Sequence, residues 1–148
     1  MTLQIQQYIW AVEKVRDAFQ EAVYVARDVD AALALAATDC AVRHLPSGSG
    51  GTGHDELRRH LAEDVVPHLP DDLVFTRVSR TVDKWRVVDE TTVGFTHDRE
   101  LPWLLPGVAP TGRRAEVAAV SVLGVRASKV AFQRVLWDHV GLVARLGL

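Results

Sequence analysis

The chain has one cysteine, Cys40, so an intrachain disulfide is impossible and a cysteine-based metal cage is excluded. It has no apolar run near the ~18 residues of a membrane span. It has no block of like charge: 17 basic against 19 acidic residues leave a net charge of −2, which argues against a nucleic-acid surface or a polybasic membrane patch. The glycine-rich Ser47 to Gly53 lacks the lysine of a phosphate-cradling loop. No GxSxG or Cys–His nucleophile arrangement occurs. His54 and His60 lie six residues apart, on different faces of a helix, so no metal site is expected. Nothing calls for a cofactor. The N-terminus has no basic leader, and Glu13 and Lys14 interrupt its apolar stretch, so a cytoplasmic protein is expected rather than a signal peptide.

What remains is ordinary for a globular protein. Hydrophobic residues make up 48% and charged residues 24% of 148. That length is most simply a single domain, residues 1–148, able to bury a core. Ile5, Ile9, Val12, Val15, Phe19, Ala22, Val23 and Ala26 recur every three or four residues, which predicts a first helix. Asp28 or Asp30 caps a second, short helix built from strong helix formers through Ala37. Cys40 to Leu45 reads as a strand, Pro46 to Gly53 as a flexible loop, and His54 to Val66 as a third helix stopped by Pro67. Period-two patterning predicts strands over Leu73–Val82, Arg86–Asp98, Arg114–Val125 and Lys129–Asp138. Helices first and antiparallel strands afterwards indicate an α+β layer fold.

Ionisable groups and tryptophans of the last third fall at strand ends and in the loop between them. These are Thr96-His97-Asp98-Arg99, Pro102-Trp103-Leu104-Leu105-Pro106-Gly107, Pro110-Thr111-Gly112-Arg113 and Trp137-Asp138-His139. Apolar walls with a few polar groups describe a small-molecule pocket. Strand alternation places His97 with Val93 and Phe95, and Asp138 with Val130, Phe132, Arg134 and Leu136. Asp138 has a second reading as the cap of a helix beginning at His139. Asp89 and Glu90 are adjacent and face opposite sides, so they are no catalytic pair, and Arg80 reads as a surface ion-pairing residue. Trp103, Leu104 and Leu105 form a lid over the pocket or a plug in it. Trp10, Trp85 and Trp137 read as core or interface aromatics.

The stretch Arg27 to Pro46 resembles the helix-to-first-strand region of ketosteroid isomerases. His97-Asp98, Pro110-Thr111-Gly112-Arg113 and the Trp137-Asp138 ending look like SnoaL-like polyketide cyclases. Both families belong to the nuclear transport factor 2-like superfamily. The resemblance implies a cone-shaped, curved antiparallel sheet wrapped around a pocket closed by three N-terminal helices. It also implies that His44 stands where isomerases carry a catalytic aspartate, and Gln20 where they carry an oxyanion-binding tyrosine. The acid that relatives carry three residues before Asp138 is here Val135.

On this basis His44 is expected to act as the base, His97 with Arg99 as the electrophile, and Asp138 as a second acid or orienting group. Gln20, Phe95, Arg99, Trp103, Phe132 and Leu136 would contact substrate, with Val93, Phe95, Phe132 and Leu136 lining one enclosed cavity. The implied activity is cofactor-independent acid/base cyclisation, isomerisation or dehydration of a hydrophobic polyketide-like carbonyl compound in secondary metabolism. The alternatives are epoxide opening, which the missing acid at Val135 disfavours, and non-catalytic binding of a hydrophobic ligand. Apolar residues on both faces of the strand at 114–125 (Val117, Ala119 and Leu123 against Ala118, Val120 and Val122) lead to the expectation of a homodimer through the outer sheet face.

Overall fold

The computed structural model describes residues 2–148. Helix α1 spans Leu3–Gln20, starts at a Thr2 cap that accepts from the Ile5 N–H at 3.3 Å, and runs on as a π turn over Glu21–Val25. Its inward stripe of Val12, Phe19, Ala22 and Val23 is the periodic face of the sequence, buried against the sheet. Asp28 caps α2 (Val29–Ala34) through the Ala31 N–H. Strands β1 (Ala36–Leu45) and β2 (Gly50–Thr52) come next. Helix α3 begins as His54–Arg59 and continues through a π turn, His60–Val65, into a 3-10 turn, Val66–His68. The chain then forms β3 (Val74–Val82), β4 (Arg86–Thr96), β5 (Arg114–Arg126) and β6 (Lys129–Trp137). The terminal helix α4 (His139–Arg145) is capped by Asp138.

The six strands make one sheet in the order β2-β1-β6-β5-β4-β3, antiparallel except for the parallel β1–β6 pair. Helix α1 packs against β3, β4, β5 and β6, so the sheet curls around it. Half of the glycine loop is structure: Gly51 in β2 pairs with Val42 and is buried, and a Cβ there would stand 2.7 Å from the Glu56 carbonyl carbon. A side chain at that point would push β2 off α3, which is why glycine density here marks close backbone approach rather than flexibility.

Register determines what the concave face carries. His44, Val135, Ser121 and Asp89 stand opposite one another across β1, β6, β5 and β4, and Asp89 then meets Arg80 on β3. The next row runs from Trp137 through Ala119 and Thr91 to Arg77.

One-residue bulges on β6 and β3 interrupt the alternation, and β1 shifts register against β6 between Ala36 and Ala41. On β6 the pairing jumps from Val130 to Phe132 and leaves Ala131 out, so Val130, Gln133, Val135 and Trp137 face inward. The expected row of Phe132, Leu136 and Asp138 is therefore corrected. Phe132 lies on the outer face over Gly124, with the Arg134 and Arg86 guanidiniums 4.6 and 5.6 Å from its ring centroid, and Leu136 is exposed. The expected cavity keeps only Val93 and Phe95 on its inner wall. On β3 the bulge falls at Val78.

Candidate functional site

Two polar regions occupy the concave side. The deeper one surrounds His44. Its imidazole is buried, and its Nδ1 accepts from the Trp137 indole N–H at 3.2 Å, so the ring proton belongs on Nε2. The ring centroid is 5.5 Å from that of His60 and 5.4 Å from that of Trp103. Burial, and then the neighbouring His60, pushes the His44 pKa down to about 3. Burial likewise takes His60 down to about 4, although Asp64 opposes the shift. Both rings are neutral at physiological pH.

Trp103 is buried beside them with Leu101, Leu104 and Leu105. The proline-rich loop is thus a plug at the cone's end, tied down by the Ser47 hydroxyl donating to the Trp103 carbonyl at 2.9 Å. His97 is fully buried at the base of this loop, where its Nδ1 accepts from the Thr111 N–H at 3.2 Å and burial lowers its pKa. Arg99 does not join it. The Arg99 guanidinium holds Asp98 at 2.8 Å and donates to the Leu69 carbonyl at 3.0 Å, so the expected basic pair does not form. Asp138 is exposed and spends its carboxylate on the Gly141 N–H at 3.0 Å, the capping role.

The second region is open. A cavity of about 400 Å³ lies between the C-terminal half of α1 and strands β3 and β4. Arg16 and Gln20 line it from α1 and Tyr24 from the π turn that continues it, at successive four-residue steps along one side. Leu73, Phe75 and Arg77 face them from the approach to β3 and from β3 itself, and Asp89 and Thr91 close the floor from β4.

Asp89 is the electrostatic centre. It is fully buried, and its carboxylate receives Arg16 Nε at 2.9 Å and Arg80 Nε and Nη2 at 2.7 and 2.9 Å. Arg80 reaches back to Asp17 on α1 at 2.8 Å and to Glu13 at 3.5 Å. The Asp89 hydrogen bonds raise the Arg80 pKa above its ordinary value, whereas burial lowers that of Arg16 against the pull of Asp89. Burial also raises the Tyr24 hydroxyl well above the ordinary phenol range, with Arg16 opposing. The Tyr24 ring packs on Phe75 at a centroid distance of 4.8 Å. This wall offers a phenol, an amide and a guanidinium as hydrogen-bond donors beside an apolar wall.

Of the residues expected from sequence, Gln20 lines this cavity. Phe95 and Trp103 are buried elsewhere in the interior, and His44 and His97 lie outside the lining of this opening. The residues missed are Arg16, Tyr24 and Asp89, with Arg80 read as a surface residue. The signals available were an i, i+4, i+8 polar stripe on α1 and a carboxylate set in the inward row Val87, Thr91, Val93. Among the described residues, no group of three or more His, Cys, Asp or Glu is arranged to hold a metal ion. Among them too, no helix is long and apolar enough to cross a membrane.

The curved sheet closed by helices has the fold of a nuclear transport factor 2-like protein from Burkholderia pseudomallei K96243, with a TM-score of 0.66 at 21% identity over 93% and 98% of the two chains. The chain belongs to the SnoaL-like polyketide cyclase family, whose pattern it matches over residues 13–146. A SnoaL-like polyketide cyclase of Jannaschia sp. CCS1, itself described as putative, superposes with a TM-score of 0.73 at 16% identity, covering 99% of this chain and 95% of that one. IdmH, a putative polyketide cyclase from Streptomyces antibioticus, gives a TM-score of 0.70 at 19% identity over 92% and 98% of the two chains. TerC, co-crystallised with polyporic acid, gives 0.68 at 20% identity over 93% and 99%. At these identities the likeness is one of fold. A comparison with curated proteins gives no match.

The neutral histidines make stability depend on pH. Their folded pKa values of about 3 and about 4 lie below the ordinary 6.5, so the unfolded chain binds the extra protons and stability falls as pH drops from 6.5 towards 4. His60→Gln is expected to flatten this part of the profile, read as the urea midpoint against pH; an unchanged slope would mean that His60 carries none of the dependence.

Proposed function

We propose that this chain is an enzyme of secondary metabolism that acts on a hydrophobic, polyketide-like carbonyl compound held in the cavity between α1 and β3–β4. The observation that carries this reading is the alignment of Arg16, Gln20 and Tyr24 along one cavity wall. Hydrogen-bond donors along that wall stabilise the negative charge that develops on a carbonyl oxygen when a neighbouring C–H is removed, and they act strongly because the site is partly withdrawn from water. Tyr24, one helical turn beyond Gln20, supplies the phenol that the isomerase resemblance seeks at Gln20. The proton passes to one of the two carboxylates that line the same cavity, Asp17 and Asp89. Enolisation of this kind underlies cyclisation, isomerisation and dehydration alike. The roles expected for His44 and His97 thereby pass to residues of the open cavity. The family membership and the TerC complex with polyporic acid support a small cyclic ligand.

The competing reading, a binder without catalysis, is favoured by the pairing of both lining carboxylates with arginines. Exchange of the activated C–H protons of 2-tetralone in D₂O, followed by NMR, separates the two. The protein is expected to accelerate exchange, and Tyr24→Phe to reduce the acceleration by roughly 10²–10³-fold. Exchange at the buffer rate with saturating protein would favour the binder.

We also propose a homodimer through the outer sheet face, where Val78, Val120 and Leu136 are exposed. Sedimentation equilibrium at micromolar concentration is expected to give twice the chain mass of 16.3 kDa. A monomer throughout would contradict it.

A further inference from the structure

The β3 bulge at Val78 changes the charge of the cavity. In a regular strand Arg77 and Arg80, three residues apart, would point to opposite faces. With Val78 left out of the pairing, Arg77 stands opposite Thr91 and Arg80 opposite Asp89, so both lie on the concave side. Bulges next to functional sites re-aim side chains in this way.

The two arginines have different employment. Arg80 is consumed by Asp89, Asp17 and Glu13. Arg77 has no carboxylate partner among the described residues, is exposed to solvent, and lines the cavity. The lining as a whole holds three arginines, Arg16, Arg77 and Arg80, against two aspartates, Asp17 and Asp89. Those carboxylates, like Glu13, are already paired with Arg16 or Arg80, so Arg77 is left as the unpaired guanidinium beside the apolar wall of Leu73, Val74 and Phe75. An unpaired guanidinium next to apolar surface fits a ligand with a hydrophobic body and a carboxylate, because the planar fork receives both oxygens at once.

We infer that the substrate is a carbonyl compound that also carries a carboxylate, and that Arg77 is the residue that selects it. This rests on the cavity being the substrate site. The carboxylate is held at the rim by Arg77, and the ring system lies on Leu73 and Phe75. The carbonyl to be polarised is thereby presented to Gln20 and Tyr24 on the opposite wall. Arg77 takes no part in proton transfer; it sets binding and orientation.

The test compares 2-naphthoate with its neutral isostere 2-naphthamide by isothermal titration. Wild type is expected to bind the carboxylate roughly 5–10-fold more tightly, the worth of one charge-assisted pairing at a solvated rim, and the preference should shrink as salt is raised. Arg77→Gln should abolish the preference while leaving naphthamide affinity unchanged, and Arg77→Lys should restore part of it. Equal affinities in wild type, or a preference that survives Arg77→Gln, would overturn the assignment to Arg77 and leave the cavity intact. If neither probe binds, the cavity reading falls and this inference falls with it.

Discussion

A carboxylate with about 1% of its side chain exposed needs countercharge, because the cost of taking it out of water is recovered only through close, well-made ion pairs. Asp89 obtains two, one from each side. Arg16 comes from α1 and Arg80 from the edge strand β3, and Arg80 returns to α1 through Asp17. Helix and edge strand are thus fastened to the same buried oxygens. The cavity is the space left between them, and its donors are placed by the same helix that the carboxylate holds. Sheet geometry alone would not fix that spacing, since β3 is an edge strand with much of its surface in solvent.

The remaining interior is packed rather than open. Trp103, Trp137 and His44 fill the cone's end, with the buried leucines of the proline-rich loop behind them. An imidazole in such a place is held neutral by the absence of water and serves best as a shaped hydrogen-bonding group, as the Trp137 contact indicates. Solvent access divides the interior: the closed end is packed, and the open side between α1 and β3 is where polar groups meet a cavity.

Much of this architecture was legible in the sequence, because the period of a helix and that of a strand are written in where the apolar residues fall. The four long strands and the capping reading of Asp138 were legible within a few residues, and Asp28 was one of two candidate caps for α2. The inward direction of His44 and His97 was legible as well. The two bulges escaped. Ala131 and Val78 are ordinary strand residues with no glycine beside them, yet each reverses the parity of the later residues on its strand. That reversal sent Phe132 and Leu136 to the outer face and brought Arg77 and Arg80 to the same side. The ion-pair centre was missed for another reason: Arg16, Arg80 and Asp89 are far apart in the chain and come together only when β3 is laid beside β4 under α1. Glycine density at 48–53 misled in the opposite sense, since Gly51 serves tight strand–helix packing.

The claim on which the rest depends is that Asp89 and Arg80 act together to hold β3 to the helix. A double-mutant cycle with Asp89→Asn, Arg80→Gln and the double variant, read by urea denaturation, measures that coupling directly. A coupling free energy above about 1 kcal/mol is the expected result for charges in contact and out of water. Single-variant losses that add within about 0.3 kcal/mol would mean the two residues act independently, and the cavity would then need another explanation.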